Sequence, residues 1–351
     1  MAEGLGRHLS YESIKQIVKF SEMDQRERMV RSIPVIKRIE SQFPYDFEEI
    51  TCGPMISNSN TFEFKTNKLN RAWMIQPLHP EQRGRSFRAN RADPELPGCI
   101  VYFRTKDYRF EHLIEKKKSV ALTELVKEYL RKGSRIEKLV IDDAIPEELE
   151  NENLKLKVNR LVLEYFAKIP KKKMVRSWLR LIDTDNHPLK TIKLELYSKL
   201  KFMLKEPAVQ SCEELILEFP YDEDFQFYPL LLETTNKHLD IVDINFPADI
   251  IEKLIQKWLN YRRPVGTSFC LGVPQYTEVI GFFDMAKETF KAVPSKFPDI
   301  KDATCHCVVI PIDEQMELVV FGEYREKKWP PFVWNFRMEV MKPGKTVRKK
   351  V

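Results

Sequence analysis

The sequence has no apolar run approaching the eighteen or so residues that a membrane span needs, so no transmembrane helix is expected. Its first residues, Met1-Ala2-Glu3-Gly4-Leu5-Gly6, lack the basic-then-apolar order of a secretory signal. The six cysteines (Cys52, Cys99, Cys212, Cys270, Cys305, Cys307) are scattered, and without an export signal they are expected to be reduced thiols in cytosol or nucleus. Gly-x-x-x-x-Gly-Lys-Ser/Thr is absent, and neither Gly98 nor Gly272 belongs to a phosphate-cradling loop. Charge of one sign is also scarce: 58 basic and 52 acidic residues leave +6, too little for a nucleic-acid reading from composition. What is present suits a folded protein, with 43% hydrophobic and 31% charged residues. At 351 residues there is room for two domains, or for one elongated repeat domain with an appended module.

Reactive constellations are missing as well. Cys305-His306-Cys307 clusters Cys and His, but a metal site needs two more ligands at a recognisable spacing, and none is local. A C-x-C in a strand puts both sulfurs on one face, so a buried strand is expected there. The carboxylate groups Asp142-Asp143, Glu147-Glu148 and Asp222-Glu223-Asp224 fall in loop-like stretches and read as solvated surface rather than acid/base pairs. His8, His79, His112, His187 and His238 have no serine or cysteine beside them in a nucleophile motif. No catalytic residue, metal or cofactor is expected, and the chain is read as a non-enzyme. The basic runs Lys116-Lys117-Lys118, Lys171-Lys172-Lys173 and Arg348-Lys349-Lys350 sit at different repeat edges or termini, so nucleic acid is not the expected partner. The arginine-rich loop from Pro80 to Arg91, with Phe87, is the best of the basic segments for a protein contact.

A series of strands with one rhythm organises the middle of the chain: Val158–Tyr165, Leu189–Leu196, Cys212–Phe219 and His238–Phe246. Leu163, Leu194, Leu217 and Ile244 recur at spacings of 31, 23 and 27 residues, within the range of short solenoid repeats. Ile192, Leu194 and Leu196 alternate with Lys193 and Glu195, and Val242, Ile244 and Phe246 with Asp243 and Asn245. Segments of helical period follow, one carrying Met174, Val175, Trp178, Leu179 and Ile182, the other Ile250, Ile251, Leu254, Ile255, Trp258 and Leu259. Strand, helix and strand again imply parallel pairing. The expected fold class is α/β: an irregular leucine-rich-repeat-like arc of parallel strands and helices. The polar strand side (Lys193, Glu195, Asp243, Asn245) is the candidate target-binding face.

The flanks differ. Residues 1–45 hold three short helices: one capped by Ser10 with Ile14, Ile17 and Val18 in a stripe, one from Met23-Asp24, and one beginning at Pro34. So small a unit makes a poor core alone and must pack on the rest of the chain or on a partner. Residues 46–118 form a connecting mixed region, with strand character at Ile56–Phe64 and Ile100–Phe103. The repeat-like domain covers 119–300; it opens on the amphipathic helix Ser119–Lys132, and Arg135–Asp142 is its first strand. Residues 301–341 form an antiparallel meander of three strands (Cys305–Ile312, Glu317–Arg325, Phe332–Met341) capping the repeats, and 342–351 a basic, frayed tail.

The N-terminal pattern Leu9-Ser10-Tyr11-x-x-Ile14, Ile17-Val18, Arg26 and Pro34-Val35-Ile36 resembles a divergent F-box, with Ser10 standing where the family usually has proline. Trp258-Leu259-Asn260-Tyr261-Arg262-Arg263-Pro264-Val265-Gly266-Thr267 is similar to a segment of the large nematode-expanded F-box-like families, whose long C-terminal domains have no assigned function. The resemblance implies a Skp-type adaptor as partner, docked through Leu9, Ile14, Ile17, Val18 and Pro34. The chain would then present a target protein to a cullin-type ubiquitin ligase by proximity, without chemistry of its own. The alternative is a stand-alone interaction scaffold with a degenerate F-box, favoured if Ile14, Ile17 and Val18 are buried.

Overall fold

The computed structural model describes residues 10–55, 59–66, 70–77, 99–105, 109–141, 153–163, 172–195, 198–219, 228–242, 246, 248–273, 275–296, 307–324, 334–344 and 347–348. The chain forms two compact units, Met1–Asn159 with Lys173–His187, and Arg160–Lys172 with Pro188–Val351.

The first unit begins with three short helices, α1 (Tyr11–Phe20), α2 (Met23–Ser32) and α3 (Lys37–Glu40), the last entered by a tight turn at Pro34–Ile36. Ser10 caps α1 by accepting from the Ser13 amide at 3.1 Å, with Glu12 favourably placed in the first turn. A reciprocal capping box between Glu22 and Gln25 starts α2. Val18, Ile36 and Ile39 make a small buried cluster, against which Ile14, Met29 and Phe43 pack.

The region after the helices is a sheet. Strands β1 (Asp46–Met55), β2 (Ser59–Lys65), β3 (Asn70–Pro77), β4 (Cys99–Arg104) and β5 (Arg109–Ile114) pair antiparallel in sequence order. The sequence reading found only parts of β2 and β4. Strand β6 (Arg135–Ile141) then runs parallel to β1, with Phe47 opposite Ile136 and Ile50 opposite Leu139. Read from sequence as the first repeat strand, Arg135–Asp142 thus pairs with the N-terminal sheet. Helix α4 (Lys118–Tyr129) delivers Tyr129 among the rings of Phe64, Trp73 and Phe62, at 4.7, 4.9 and 6.2 Å between centroids. Helix α5 (Lys172–Leu181) brings Trp178 and Leu181, both buried, to this unit.

In the second unit, which begins at Arg160 within β7 (Lys157–Leu163), β7 pairs with β8 (Thr191–Glu195), and β8, β9 (Glu214–Glu218), β10 (His238–Val242) and β11 (Ser268–Val273) follow, all in parallel and in sequence order. Short helices α6 (Pro207–Ser211) and α7 (Tyr228–Leu231) and the long helix α8 (Ala248–Tyr261) fill the connections. Strands β8, β9 and β10 share one burial rhythm, with Ile192, Leu194, Leu215, Leu217, Leu239 and Ile241 inside. Helix α9 (Tyr276–Phe290) leads to β12 (Val293–Lys296), β13 (Cys307–Pro311), β14 (Glu317–Tyr324), β15 (Trp334–Met341) and β16 (Val347–Arg348). These pair antiparallel in the order β16-β12-β13-β14-β15, and β15 then joins β11. The tail expected to fray therefore contributes two residues to the sheet, paired with Ser295 and Lys296. Gly322 lets α9 approach β14: a Cβ there would lie 2.9 Å from the Val279 Cγ1.

The Trp258–Thr267 segment is the joint between α8 and β11. Trp258 is buried, and the Arg263 guanidinium lies over its ring at 5.8 Å while donating to the Thr234 carbonyl of the preceding connection. Gly266 takes φ +87, a left-handed conformation that favours glycine, and its amide donates to the Val340 carbonyl at 2.8 Å. The Val340 amide returns a bond to the Thr267 carbonyl at 2.9 Å, tying the joint to β15. The motif thus has a structural explanation in the junction of parallel and antiparallel strands.

Candidate functional site

Two arginines hold the N-terminal helices in place within their own unit: Arg26 ties them to the segment that leads into β1, and Arg131 ties α3 to the end of α4. Arg26 in α2 donates to the carbonyls of Ser21 and Pro44 at 3.0 Å each, and to those of Lys19 and Phe43 at 3.3 and 3.5 Å. Burial lowers its pKa below the usual arginine value, but nearby Tyr45 and Glu40 favour its charge. Arg131, just after α4, donates to the Glu40 carboxylate at 2.8 Å and to the Glu40 carbonyl at 2.9 Å. Tyr45 lies between the two guanidinium groups, 5.3 Å from Arg26 and 4.3 Å from Arg131, and donates its hydroxyl to Glu40 at 2.5 Å. Burial and then the bond to Glu40 push the Tyr45 pKa far up. A further tie runs from Arg71 in β3 to Glu27 in α2 at 2.6 Å.

These ties fix which apolar residues remain outside. Val18 is wholly buried, Ile14 is half-buried, and Ile17 is 45% exposed. Pro34 is exposed, as are its neighbours Ile33 at 49% and Val35 at 79%. Phe20, at the end of α1, is 77% exposed. Leu9 lies outside the described residues. Of the five residues expected to dock an adaptor, two are therefore on the surface, one straddles it and one is core. Phe20 was not singled out from sequence, although it continues the α1 stripe three residues after Ile17.

On the strands, Lys193 and Glu195 are half-buried on the face opposite Ile192 and Leu194. Lys193 Nζ reaches the Glu218 carboxylate in β9 at 2.9 Å. The same face holds Thr191 bonded to Glu214 at 2.8 Å, and His238 bonded to Ser268 at 2.8 Å. Asp243 and Asn245 lie outside the described residues. In β10 the buried phase is set by Leu239 and Ile241, which pair with Leu215 and Leu217, so Val242 stands beside Glu218 on the polar face. The alternation expected from Val242 is thus corrected by one residue.

The described cysteines are all buried, and none of them forms a disulfide. Burial pushes the thiols of Cys212 and Cys307 up to about 12, which suits packing rather than nucleophilic attack. Cys305 and His306 lie outside the described residues, as does the Pro80–Arg91 loop. Among the described residues no group of three or more His, Cys, Asp or Glu side chains could hold a metal ion, and no helix is long and apolar enough to cross a membrane. Lys116 of the first basic run is held by Glu124 at 2.6 Å.

With this geometry in place, comparison with known families adds one assignment. Residues 117–275 match the family described as a domain of unknown function, DUF3557. The DUF3557 segment starts at the residue before α4 and ends at the residue before α9, so the N-terminal helices and the antiparallel strands lie outside it. No curated protein and no solved structure gives a significant match.

Proposed function

We propose that this chain is a non-enzymatic protein-binding adaptor. Its N-terminal helices would dock a Skp-type partner of a cullin-type ubiquitin ligase. The strands β7 to β11 would form an irregular leucine-rich-repeat-like arc whose polar side holds a target protein. Function would then be proximity: holding a target near the transfer machinery raises its effective concentration. The observation that carries the reading is the unburied apolar surface of a small helical module whose orientation is set by Arg26 and Arg131. Ile17, Ile33 and Val35 remain in solvent although Val18, Ile36 and Ile39 pack well beneath them. The polar strand face supports the second half, because Lys193, Glu218, Thr191 and Glu214 order one another without being buried.

The stand-alone scaffold is the second reading, favoured by the complete burial of Val18 and the partial burial of Ile14. A pull-down with purified Skp-type adaptor separates the two. Ile17→Asp is the appropriate variant, since an exposed position tolerates charge, whereas Ile14 is packed against the helical core. Capture of wild type and loss with folded Ile17→Asp supports the adaptor. Failure of wild type to bind leaves the scaffold.

A further inference from the structure

A cleft of about 460 Å³ opens in the first unit where the end of α1 and the start of α2 meet β1 and β6. That volume is within the range of ligand-holding pockets. Carboxylates reach it from separate elements: Glu22 and Asp24 at the start of α2, Asp46 and Glu48 in β1, and Glu137 in β6. Exposed Lys65 and Arg28 pair with Glu48 and Asp24 at 3.8 and 3.5 Å, and two further cations line the cleft itself, leaving five carboxylates against four cations. The Arg26 guanidinium is buried in the floor and committed to four backbone carbonyls, so it does not offer itself to a bound anion. Lys19 is on the rim, with its ammonium 5.3 Å from the centre of the Phe20 ring. Phe20 itself, 77% exposed at the mouth, is an aromatic face already stacked with an ammonium group.

We propose that this cleft binds a lysine or arginine side chain of a protein segment, with its charge against the carboxylates and its stem against Phe20. The concavity gives the site its walls, the net negative lining selects a cation, and the exposed ring supplies the apolar contact that a solvated acidic surface lacks. The inference names the chemistry a target would present. It rests on the reading of the chain as protein-binding, but not on the adaptor.

The test is fluorescence anisotropy of the full chain with labelled decapeptides of alanine, serine and glycine carrying two central lysines, arginines or glutamates. Lysine and arginine peptides should bind saturably, more weakly as salt rises, and glutamate peptides should not bind. Phe20→Ala should weaken binding about 3- to 30-fold. Asp46→Asn with Glu48→Gln should weaken it about ten-fold or more, both variants retaining the wild-type circular dichroism spectrum. Indifference to peptide charge, no saturable binding of the basic peptides, or unchanged binding by both variants would overturn the proposal. Ile17→Asp should bind the peptides as wild type does, so loss of adaptor capture and loss of peptide binding are distinguishable failures.

Discussion

Arg131→Met should be among the most damaging substitutions available in the first unit. Arg131 and Glu40 are almost fully buried, with side-chain exposures of 11% and 5% and a charge-assisted bond of 2.8 Å. Burial alone would lower the arginine pKa, yet the bond to Glu40 and the field of Tyr45 outweigh it and hold the pKa above its usual value. Removing the cation leaves the Glu40 carboxylate with the Tyr45 hydroxyl, and leaves the Glu40 and Phe43 carbonyls without this donor. Breaking one side of a buried pair costs about 3–5 kcal/mol, and the lost stacking on Tyr45 adds about 1 kcal/mol. Together a loss of about 4–6 kcal/mol is expected. Glu40→Gln/Arg131→Met should recover a share of it, because the uncompensated charge is gone. The exposed pair Lys253–Asp249 has the same 2.8 Å separation but 58% and 61% exposure. Breaking that pair with Lys253→Met should leave the urea midpoint close to that of wild type. Urea unfolding followed by circular dichroism gives the magnitudes, and amide exchange localises the loss to α1–α3. If Arg131→Met lies within about 1 kcal/mol of wild type, the two arginines do not hold the helical module in place.

Three further outcomes follow from the packing. Burial, then the charge of Glu27, pushes the Tyr129 pKa up to about 12, so its contribution is complete below the unfolded value near 10 and lost as pH rises toward 12. Over that window Tyr129→Phe should lose about 2–3 kcal/mol less stability than wild type in urea titrations; parallel losses would contradict the assignment. The thiols of Cys212 and Cys307 should resist alkylation at pH 8 in the native protein and react on unfolding, as read by mass spectrometry; native-state labelling would mean that they are accessible. Gly322→Ala should cost about 1–3 kcal/mol by pressing on Val279 of α9, and a thermal melt unchanged from wild type would show that the helix can shift without penalty.

The elements that were legible in the sequence are those whose signals are local. Ser10 and Pro34 announce helix starts, and the alternations Ile192-Lys193-Leu194 in β8 and Leu215-Ile216-Leu217 in β9 report their buried faces. In β10, Ile241 and Val242 are consecutive apolar residues, so the period admits two phases; only pairing of Leu239 with Leu215 decides between them. Around strand β1 the buried residues Tyr45 and Phe47, then Ile50 and Cys52, keep a period of two whose phase shifts between Phe47 and Ile50, and so the segment read as irregular. The Glu40–Arg131 bond joins residues 91 apart, and no local pattern reports such a pair. The same limit applies to the cleft, whose carboxylates come from α2, β1 and β6. The stripe on α1 showed that some of its face is apolar, but which part faces outward depends on where Arg26 and Arg131 anchor the module.

The most direct test of the adaptor reading is calorimetric titration of purified Skp-type adaptor into wild type and into Ile17→Asp/Val35→Asp. Both substituted residues are exposed, at 45% and 79%, so the double variant should melt with wild type. The account predicts saturable binding by wild type and at least a hundred-fold weaker binding by the variant, the order of about 3 kcal/mol expected when charges enter a desolvated contact. Equal affinity in the two proteins, or no heat with either, would contradict docking through this surface.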